Sequence, residues 1–501
     1  MTKPLICLTL AGKTLHENAA IVNRYRRYID IAELRVDYLD EEEQLYVRRF
    51  PALVPVPCIL TIRRISDGGL FTSGEISRTL LFARALAFSA QEDQKNFAYV
   101  DFEDDFHIPS LQDAALAFGI RIIRSFHDIH NPVYNIKQRC DEMRQTGFEI
   151  PKIAFMPKTL SDVSNLFYQA KTMTAYEHIV CAMGALGLPS RILAHKLHSY
   201  LTYVSPEETH ADVVHLGHID PITLNDVYRF RSLDDETETF GVMGWPLVKT
   251  RSPEIHNAGY TTHRMNRVFI PVRAQTIDDA LTFAARADIR GYAVTVPFKE
   301  KINSILVNSD METQAIGACN TIMRCDSGWI GRNTDAKGFQ QAFVEFLGNQ
   351  KLRRKKVAII GAGGAARAIA YVIHQMGGGA CIFNRTVSAA KKIAQQYKFK
   401  YAELNENSLA VLETYAAIII QTTSLGMNSM ESSNEQNDPI YFYHFKGTEK
   451  VFDIVYVPEI TPIMARAKEA GCDVCNGLKM LQYQGYEQFK FFTGVDYAVA
   501  N

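Results

Sequence analysis

The sequence predicts an α/β protein of more than one domain, with a (β/α)8 barrel in its first part and a two-lobed parallel-sheet arrangement in its second. Three features lead there. Eight short apolar runs alternate with helix-spaced segments up to about residue 205, an acidic stretch without periodicity follows at 232–239, and a strand, a glycine turn and a helix start succeed one another from Lys356.

The eight runs are Ile6 to Leu10, Ile31 to Val36, Cys58 to Ile62, Ala98 to Phe102, Arg121 to Ser125, Lys152 to Phe155, Ile179 to Met183 and Leu201 to Val204. Short runs separated by helical stretches indicate parallel strands with helical crossovers, and eight suffice to close a barrel; an open doubly wound sheet is the alternative. Polar residues gather toward the C-terminal ends of these strands, among them Glu33, Arg35, Arg63 and His127. That is the face on which barrel enzymes place their chemistry.

Ser-Leu-Asp-Asp-Glu-Thr-Glu-Thr (232–239) has one apolar residue and suits an exposed connection between domains. Cutting near Asp235 is therefore expected to release two folded halves. A second α/β pattern opens at Phe240, with a strand at Tyr292 to Val296, and the helix Gly338 to Leu347 joins it to a third pattern beginning at Lys356.

Composition bounds the function. The 501 residues are 47% hydrophobic and 22% charged, with a formal net charge of -1, which excludes disorder and leaves no electrostatic footprint for nucleic acid or an anionic membrane. The partners expected are small molecules. Nine cysteines are too sparse for a disulfide framework, and the single Cys472-x-x-Cys475 has no second pair to complete a zinc site. No secretory signal or run of 18 apolar residues is present, so the expected location is cytoplasmic.

The third segment carries the most local chemistry. In Lys356-Val-Ala-Ile-Ile-Gly-Ala-Gly-Gly-Ala-Ala, Gly361 permits a tight turn, Gly363 lets backbone amides approach a pyrophosphate, Gly364 leaves room for close packing, and Ala366 takes the third fingerprint position. This predicts a Rossmann-type dinucleotide site; a tight packing turn is the other reading. The next strand, Ala380 to Phe383, ends in Asn384-Arg385-Thr386. Arg385 stands about where an acidic residue would hold a ribose 2'-hydroxyl, and a guanidinium there pairs with a 2'-phosphate, so NADP is expected over NAD.

Around this turn the sequence reads Gly-Trp-Pro-Leu-Val-Lys-Thr-Arg-Ser-Pro-Glu-Ile-His-Asn (244–257), Val-Thr-Val-Pro-Phe-Lys (294–299), Gly-Ala-Cys-Asn-Thr (317–321) and Gly-Arg-Asn-Thr-Asp (331–335). Thr-Thr-Ser-Leu-Gly-Met (422–427), Asp-Ile-Val-Tyr-x-Pro (453–458) and Gly-Leu-Lys-Met-Leu-Gln-Tyr-Gln (477–484) follow. In this order the set resembles the shikimate dehydrogenase family from Gly241 nearly to the C terminus. The resemblance implies NADPH-dependent reduction of 3-dehydroshikimate to shikimate, with Lys299 and Asp335 as the catalytic pair and Thr250, Ser252, Thr295, Asn320 and Gln484 binding substrate. It also implies that Ala365, Thr422, Ser424, Tyr456 and Gly477 join Gly361, Gly363, Gly364, Asn384, Arg385 and Thr386 around the cofactor. Ala293 and Gln421 depart from the family, standing where relatives often carry Asn.

The first segment carries Glu-Leu-Arg-Val-Asp (33–37), Thr-Ile-Arg (61–63) with Asp-Gly-Gly (67–69), Ser-Phe-His-Asp (125–128), Pro-Lys-Ile-Ala (151–154) and Gly-Leu-Pro-Ser-Arg (187–191). This order resembles type I 3-dehydroquinate dehydratase. The resemblance implies that Lys152 forms a Schiff base with the ketone of 3-dehydroquinate and that His127 is the general acid and base. An ordinary lysine titrates near ~10.4, so attack at neutral pH calls for burial or a neighbouring cation. Glu33, Arg35, Arg63 and Arg191 would hold the substrate, with Asp67 in the place of a family Glu, orienting His127. Where the family has Ser-Ala-Pro-Gly-Gln, this chain has Val214-His215-Leu216-Gly217-His218, with His218 replacing the Gln as a hydroxyl ligand. His210, His215 and His218 lack the carboxylate or thiol spacing of a metal site, and no metal is expected.

Together these readings give a 1–231 barrel, a 232–239 linker, a shikimate-binding lobe of 240–337 plus 477–501, and an NADP-binding lobe of 338–476. The C-terminal helix from about Gly477 is expected to return to the first lobe. The rivals are a non-catalytic metabolite-binding regulator built on the same domains, against which the four residues Lys152, His127, Lys299 and Asp335 argue, and a quinate dehydrogenase in the second half. Oligomeric state is open.

Overall fold

In this computed structural model the residues described are 3–86, 95–207, 217–247, 250–348, 350–427, 429 and 431–498. They form two compact units, Met1–Arg290 and Gly291–Asn501.

The first unit is built on eight parallel strands, β1 (Leu5–Leu10), β2 (Ile31–Arg35), β3 (Cys58–Thr61), β4 (Tyr99–Glu103), β5 (Arg121–Asp128), β6 (Ile150–Phe155), β7 (Ile179–Ala182) and β8 (Leu201–Val204). Their ladders run in the order β7-β6-β5-β4-β3-β2-β1-β8. Between β7 and β8 the ring is joined by the parallel bridge His178–Ser199 and by Val180 N–H donating to Ser199 Oγ at 3.2 Å, in place of a ladder. The barrel reading holds over the open sheet. The strand β5 runs three residues beyond its expected end, and that extension carries His127.

Successive strand residues face opposite sides, so inward positions recur every second residue. The lowest inward layer is apolar: Cys7, Ile31, Ile59, Tyr99, Ile123, Ile150, Ile179 and Leu201 pack as one cluster. Two residues further along each strand the layer becomes polar, with Thr9, Glu33, Thr61, Asp101, Ser125 and Lys152 all buried beside Cys181 and Tyr203. One more step reaches Arg35, Arg63, Glu103 and His127. The apolar floor thus seals a charged upper storey at the C-terminal ends of the strands, as barrel enzymes require.

The same unit continues into β9 (Glu238–Gly244) and β10 (Arg267–Arg273), which pair in parallel with Arg267 opposite Glu238 and Arg273 opposite Gly244. The helix Leu160–Ala170, started by a capping box between Thr159 and Asp162, meets the helix Ile277–Ala287 through Phe167 and Phe283, edge to face at 5.3 Å. Both rings are buried, and Ser161 Oγ donates to Asp279 Oδ1 beside them at 2.8 Å. The stretch 232–239 is correspondingly structured: Thr237 is buried, Asn266 Nδ2 donates to Asp234 Oδ1 at 2.8 Å, and Glu238 already belongs to β9. The expectation of a freely exposed connection is corrected, because the segment it leads into packs its apolar helix face on the barrel.

In the second unit, β11 (Ile289–Val294), β12 (Leu306–Ser309), β13 (Thr321–Cys325) and β14 (Gly328–Arg332) lie in the order β11-β13-β14-β12, the first two pairings antiparallel and the last parallel. The strand expected to reach Val296 stops at Val294, where Phe298 N–H donates to Thr295 O at 3.0 Å and turns the chain. A second sheet holds β15 (Lys356–Ile360), β16 (Gly379–Asn384), β17 (Lys400–Glu403), β18 (Ile418–Gln421), β19 (Lys450–Asp453) and β20 (Asp473–Cys475), all parallel, in the order β17-β16-β15-β18-β19-β20. This is the doubly wound dinucleotide-binding order, with its switch point between β15 and β18. The final helix, Leu478–Thr493, packs along the helix Asp335–Leu347; at the crossing a Cβ on Gly338 would stand 2.6 Å from Gln484 N, so glycine permits the approach.

Candidate active sites

The charged storey of the barrel lines a cavity. Lys152 on β6 points its Nζ to Asp101 Oδ2 on β4 at 2.9 Å, to Glu33 Oε1 on β2 at 3.5 Å, and over the Tyr203 ring at 4.4 Å. Asp101 also takes Arg63 Nη2 at 2.9 Å and the Ser125 hydroxyl. Burial alone would raise its carboxyl pKa, but Arg63 and Lys152 outweigh it and hold the group far below the usual carboxylate range. Arg63 is shared with Glu103 at 3.0 Å, and Arg78 closes the far side of Glu103, so no buried charge in this row is left uncompensated. Thr9 and Thr61 hydroxyls donate to Glu33 at 3.2 and 3.0 Å.

His127 faces the same cavity from β5. Its Nδ1 is buried and meets no hydrogen-bonding partner among the described residues. Loss of water, with Arg63 and Lys152 adding repulsion, lowers its pKa well below that of an ordinary imidazole, which keeps the ring neutral and able to accept a proton. His218 stacks on Tyr203 at 6.4 Å and is pushed down in the same direction by burial and by Arg191 and Arg35.

In the continuation of this unit, the Thr250 hydroxyl lies 3.1 Å from Ser252 Oγ, and Ser252 opens the helix Ser252–Thr262 with its N–H donating to Thr250 Oγ1. In the second unit, Lys299 Nζ lies 2.5 Å from Asp335 Oδ2. Asp335 sits in the first turn of its helix, where the macrodipole favours a carboxylate. Asn320 Nδ2 reaches Asp335 Oδ1 at 2.9 Å and Gln484 Oε1 at 3.2 Å, and Gln488 Nε2 donates to Asn320 O, so the returning C-terminal helix locks the amide that orients the carboxylate. Thr295 begins the turn between β11 and Lys299.

At the end of β15, Gly361 has φ +111°, and a Cβ there would lie 2.5 Å from Thr422 Oγ1, whose hydroxyl caps Ile360 O. A Cβ on Gly363 would meet nothing within 4 Å, which leaves open space in front of the first amides of the helix Gly364–Gln375. Turn, open space and helix N-terminus form a cradle that fits a pyrophosphate. Asn384, Arg385 and Thr386 follow β16, with Arg385 exposed.

Residues 6–235 match the family described as Type I 3-dehydroquinase, 242–322 the shikimate dehydrogenase substrate binding domain, and 345–454 shikimate / quinate 5-dehydrogenase. A shikimate dehydrogenase (NADP(+)) of Carboxydothermus hydrogenoformans is 33% identical over 52% of this chain and 94% of its own. The chain belongs to the shikimate dehydrogenase family, behind a type I 3-dehydroquinase domain. A chloroplastic bifunctional 3-dehydroquinate dehydratase/shikimate dehydrogenase of Arabidopsis thaliana is 29% identical over 93% of this chain and 78% of its own. A solved shikimate 5-dehydrogenase of Thermus thermophilus, in complex with NADP(H) and shikimate, is 28% identical over 52% of this chain and 95% of that one, with a TM-score of 0.45.

Within the dehydroquinase domain, Glu33, Arg35, Arg63, Asp67, His127, Lys152, Arg191 and His218 all line the one cavity. Two details differ from expectation. Asp67 is held by Arg64 Nε at 2.9 Å and by the Ser66 hydroxyl, with no bond to His127 among the described residues, because the arginine beside it is the nearer partner. Lys152 is buried as expected, but its closest charged partners are carboxylates. Val214, His215 and His210 lie outside the described residues. No cluster of His, Cys, Asp or Glu among the described residues is arranged to hold a metal ion.

In the shikimate dehydrogenase part, Gln421 is fully buried and its amide spans Thr423 and Leu425, so it braces the turn carrying Thr422 and Ser424. Gly477 cannot take a side chain, since a Cβ would stand 1.9 Å from Ile454 O, two residues before Tyr456. Sequence reasoning missed Asp101, Ser125, Glu103 and Tyr203. The signal was the two-residue step along each strand, which places all four on the face of Lys152 or Arg63.

Proposed function

We propose that the chain catalyses two consecutive steps, dehydration of 3-dehydroquinate to 3-dehydroshikimate in the barrel and NADPH-dependent reduction of that product to shikimate in the second half. The observation that carries the reading is Lys152, a buried primary amine fixed by Asp101 in a cavity that it shares with a neutral-tending histidine. We assign the barrel to 1–231 with a link at 232–239, the shikimate-binding lobe to 240–337 plus 477–501, and the NADP-binding lobe to 338–476.

In the barrel, the Lys152 ammonium passes a proton to His127, the free amine adds to the C3 carbonyl, and His127 returns that proton to the carbinolamine hydroxyl, which leaves as water; the resulting iminium draws electrons from C2. His127 takes the C2 proton and delivers it to the departing C1 hydroxyl; water then releases the product and restores the amine. Asp101 stays ionised throughout and balances the iminium charge. Arg35, Arg63, Arg191 and His218 are the donors that meet the substrate's carboxylate and hydroxyls, with Glu33 as the acceptor.

In the second half, the Gly361–Ala365 turn with Asn384, Arg385, Thr386, Thr422, Ser424, Tyr456 and Gly477 would hold NADPH, which would supply the hydride. Lys299 gives a proton to the ketone oxygen as charge develops there, and Asp335 holds the ammonium in place. Thr250, Ser252, Thr295, Asn320 and Gln484 bind the substrate's polar groups.

The nine cysteines are all free thiols, which supports a reducing compartment such as the cytoplasm. Among the described residues no helix is long and apolar enough to cross a membrane.

One purified sample tests both steps. Given 3-dehydroquinate, it is expected to develop enone absorbance and then, once NADPH is added, to consume it. Absence of the enone would overturn the dehydratase assignment, and an enone without NADPH loss would overturn the reductase.

A further inference from the structure

Arg273 closes β10, in the part of the first unit that matches the dehydrogenase substrate-binding domain. Its side chain is half-buried, and burial lowers its pKa, yet no carboxylate lies within ion-pairing distance among the described residues. It donates instead to two backbone carbonyls, Nε to Leu247 O at 3.2 Å and Nη1 to Ala185 O at 2.9 Å. A guanidinium spent on carbonyls fixes loops, because carbonyl acceptors satisfy its donors without neutralising it.

The two loops have different owners. Leu247 belongs to the Gly244–Ser252 segment, which leads to Thr250 and Ser252. Ala185 belongs to the barrel loop between β7 and the short helix Leu188–Ile192, and that loop is tied closely to the dehydratase cavity. Met183 at its start and Arg191 in its helix both line the cavity. Gly184 O stands where a Cβ on Gly217 would come within 2.2 Å, so the loop also abuts the residue before His218. Gly187 is boxed in as tightly, 2.2 Å from Ala182 O on the same measure, while Ser190 Oγ bonds Ala182 N and Gly187 O. Ala185 is the exposed residue of this otherwise tightly held loop, and its carbonyl is the one that Arg273 takes.

We infer that Arg273, a residue of the dehydrogenase half, is a positioning residue for the dehydratase: it anchors the β7 loop so that Arg191 and His218 stand ready for substrate. The inference rests on the dehydratase reading above. Arg273 touches neither Lys152 nor His127 in any described contact, so its loss acts on substrate binding rather than on the chemical step.

The test uses the full chain with Arg273→Met, which keeps the apolar stem, and Arg273→Lys, which keeps one cationic donor able to reach a single carbonyl. Enone formation from 3-dehydroquinate is expected to show KM raised about fivefold in Arg273→Met with kcat within about twofold, and an intermediate KM in Arg273→Lys. An unchanged dehydratase KM in Arg273→Met overturns the inference. So does a fall of kcat in step with the melting temperature that Arg273→Lys does not relieve, which is the mark of a merely structural residue. Should Arg273→Met fail to fold, a wild-type KM in folded Arg273→Lys overturns it equally. Failure of the underlying reading is distinguishable, since the wild-type chain would then form no enone.

Discussion

Lys152 Nζ and Asp101 Oδ2 lie 2.9 Å apart, on strands separated by one neighbour, with both side chains almost wholly withdrawn from solvent. The amine is fixed by a carboxylate that Arg63 also holds, so it has one place to be when a ketone arrives. Removing it takes away the ion pair of Glu33, which keeps the Thr9 and Thr61 hydroxyls and the longer-range attraction of Arg35 and Arg63. Lys152→Ala is therefore expected to lower dehydration by about a thousandfold or more and to cost roughly 3 kcal/mol of stability, while shikimate oxidation is unchanged. Lys299→Ala is expected to do the reverse to the two activities. Both rates, measured on each variant beside a denaturant midpoint, check this; loss of both activities from either change would contradict two separate sites.

His127 should give the dehydratase an unusual acid limb. Folding lowers its pKa, so the native protein binds this proton less readily than the unfolded chain does. Stability and the basic form of the ring are both complete above the ordinary value of ~6.5 and are lost as pH falls below it toward the lowered value. The dehydration rate is expected to stay level through pH ~6.5. An initial-rate series showing a half-maximal point at that pH would place the ring in ordinary solvation.

Arg385 is expected to decide the cofactor. Charge-assisted hydrogen bonds to a phosphate contribute ~1.5–3 kcal/mol, so Arg385→Ala should raise KM for NADPH about 10- to 100-fold and leave NADH nearly untouched. Equal losses for the two cofactors would show that the guanidinium does not meet the 2'-phosphate.

A protease site placed after Asp235 should yield fragments that stay together. Phe283 is fully buried against Phe167, and Lys196 Nζ donates to Ala287 O across the same seam at 3.2 Å. Phe283→Ala is expected to cost ~3–5 kcal/mol and to lower the melting temperature of the whole first unit. Size-exclusion chromatography of the cut chain reads the association; two separately eluting folded halves would refute the seam.

Much of this was legible from the residues. Apolar runs marked all eight barrel strands to within a few residues of their ends, since buried parallel strands show as short apolar stretches whatever surrounds them. The dinucleotide turn was legible because Gly361, at positive φ and tight against Thr422, meets a demand that few residue types can meet. Asp101 and Ser125 were not singled out, since one polar letter inside an apolar run looks the same whether it faces a cavity or a neighbouring helix. Nor did composition at 232–239 disclose the seam, because an acidic stretch records only its own solvation and says nothing of where Phe283, some fifty residues on, will pack.

One glycine in the second unit answers to two masters. A Cβ on Gly364 would stand 2.9 Å from Lys299 Cβ and 3.1 Å from its Cδ, so the first residue of the helix Gly364–Gln375 rests directly on the stem of the lysine proposed as proton donor. Any larger residue there must either tilt the helix away from the phosphates or swing the lysine off Asp335. Under the proposed roles, a side chain at Gly364 would therefore disturb nucleotide placement and proton delivery together, whereas Arg385 and Thr386 stand exposed, away from that contact.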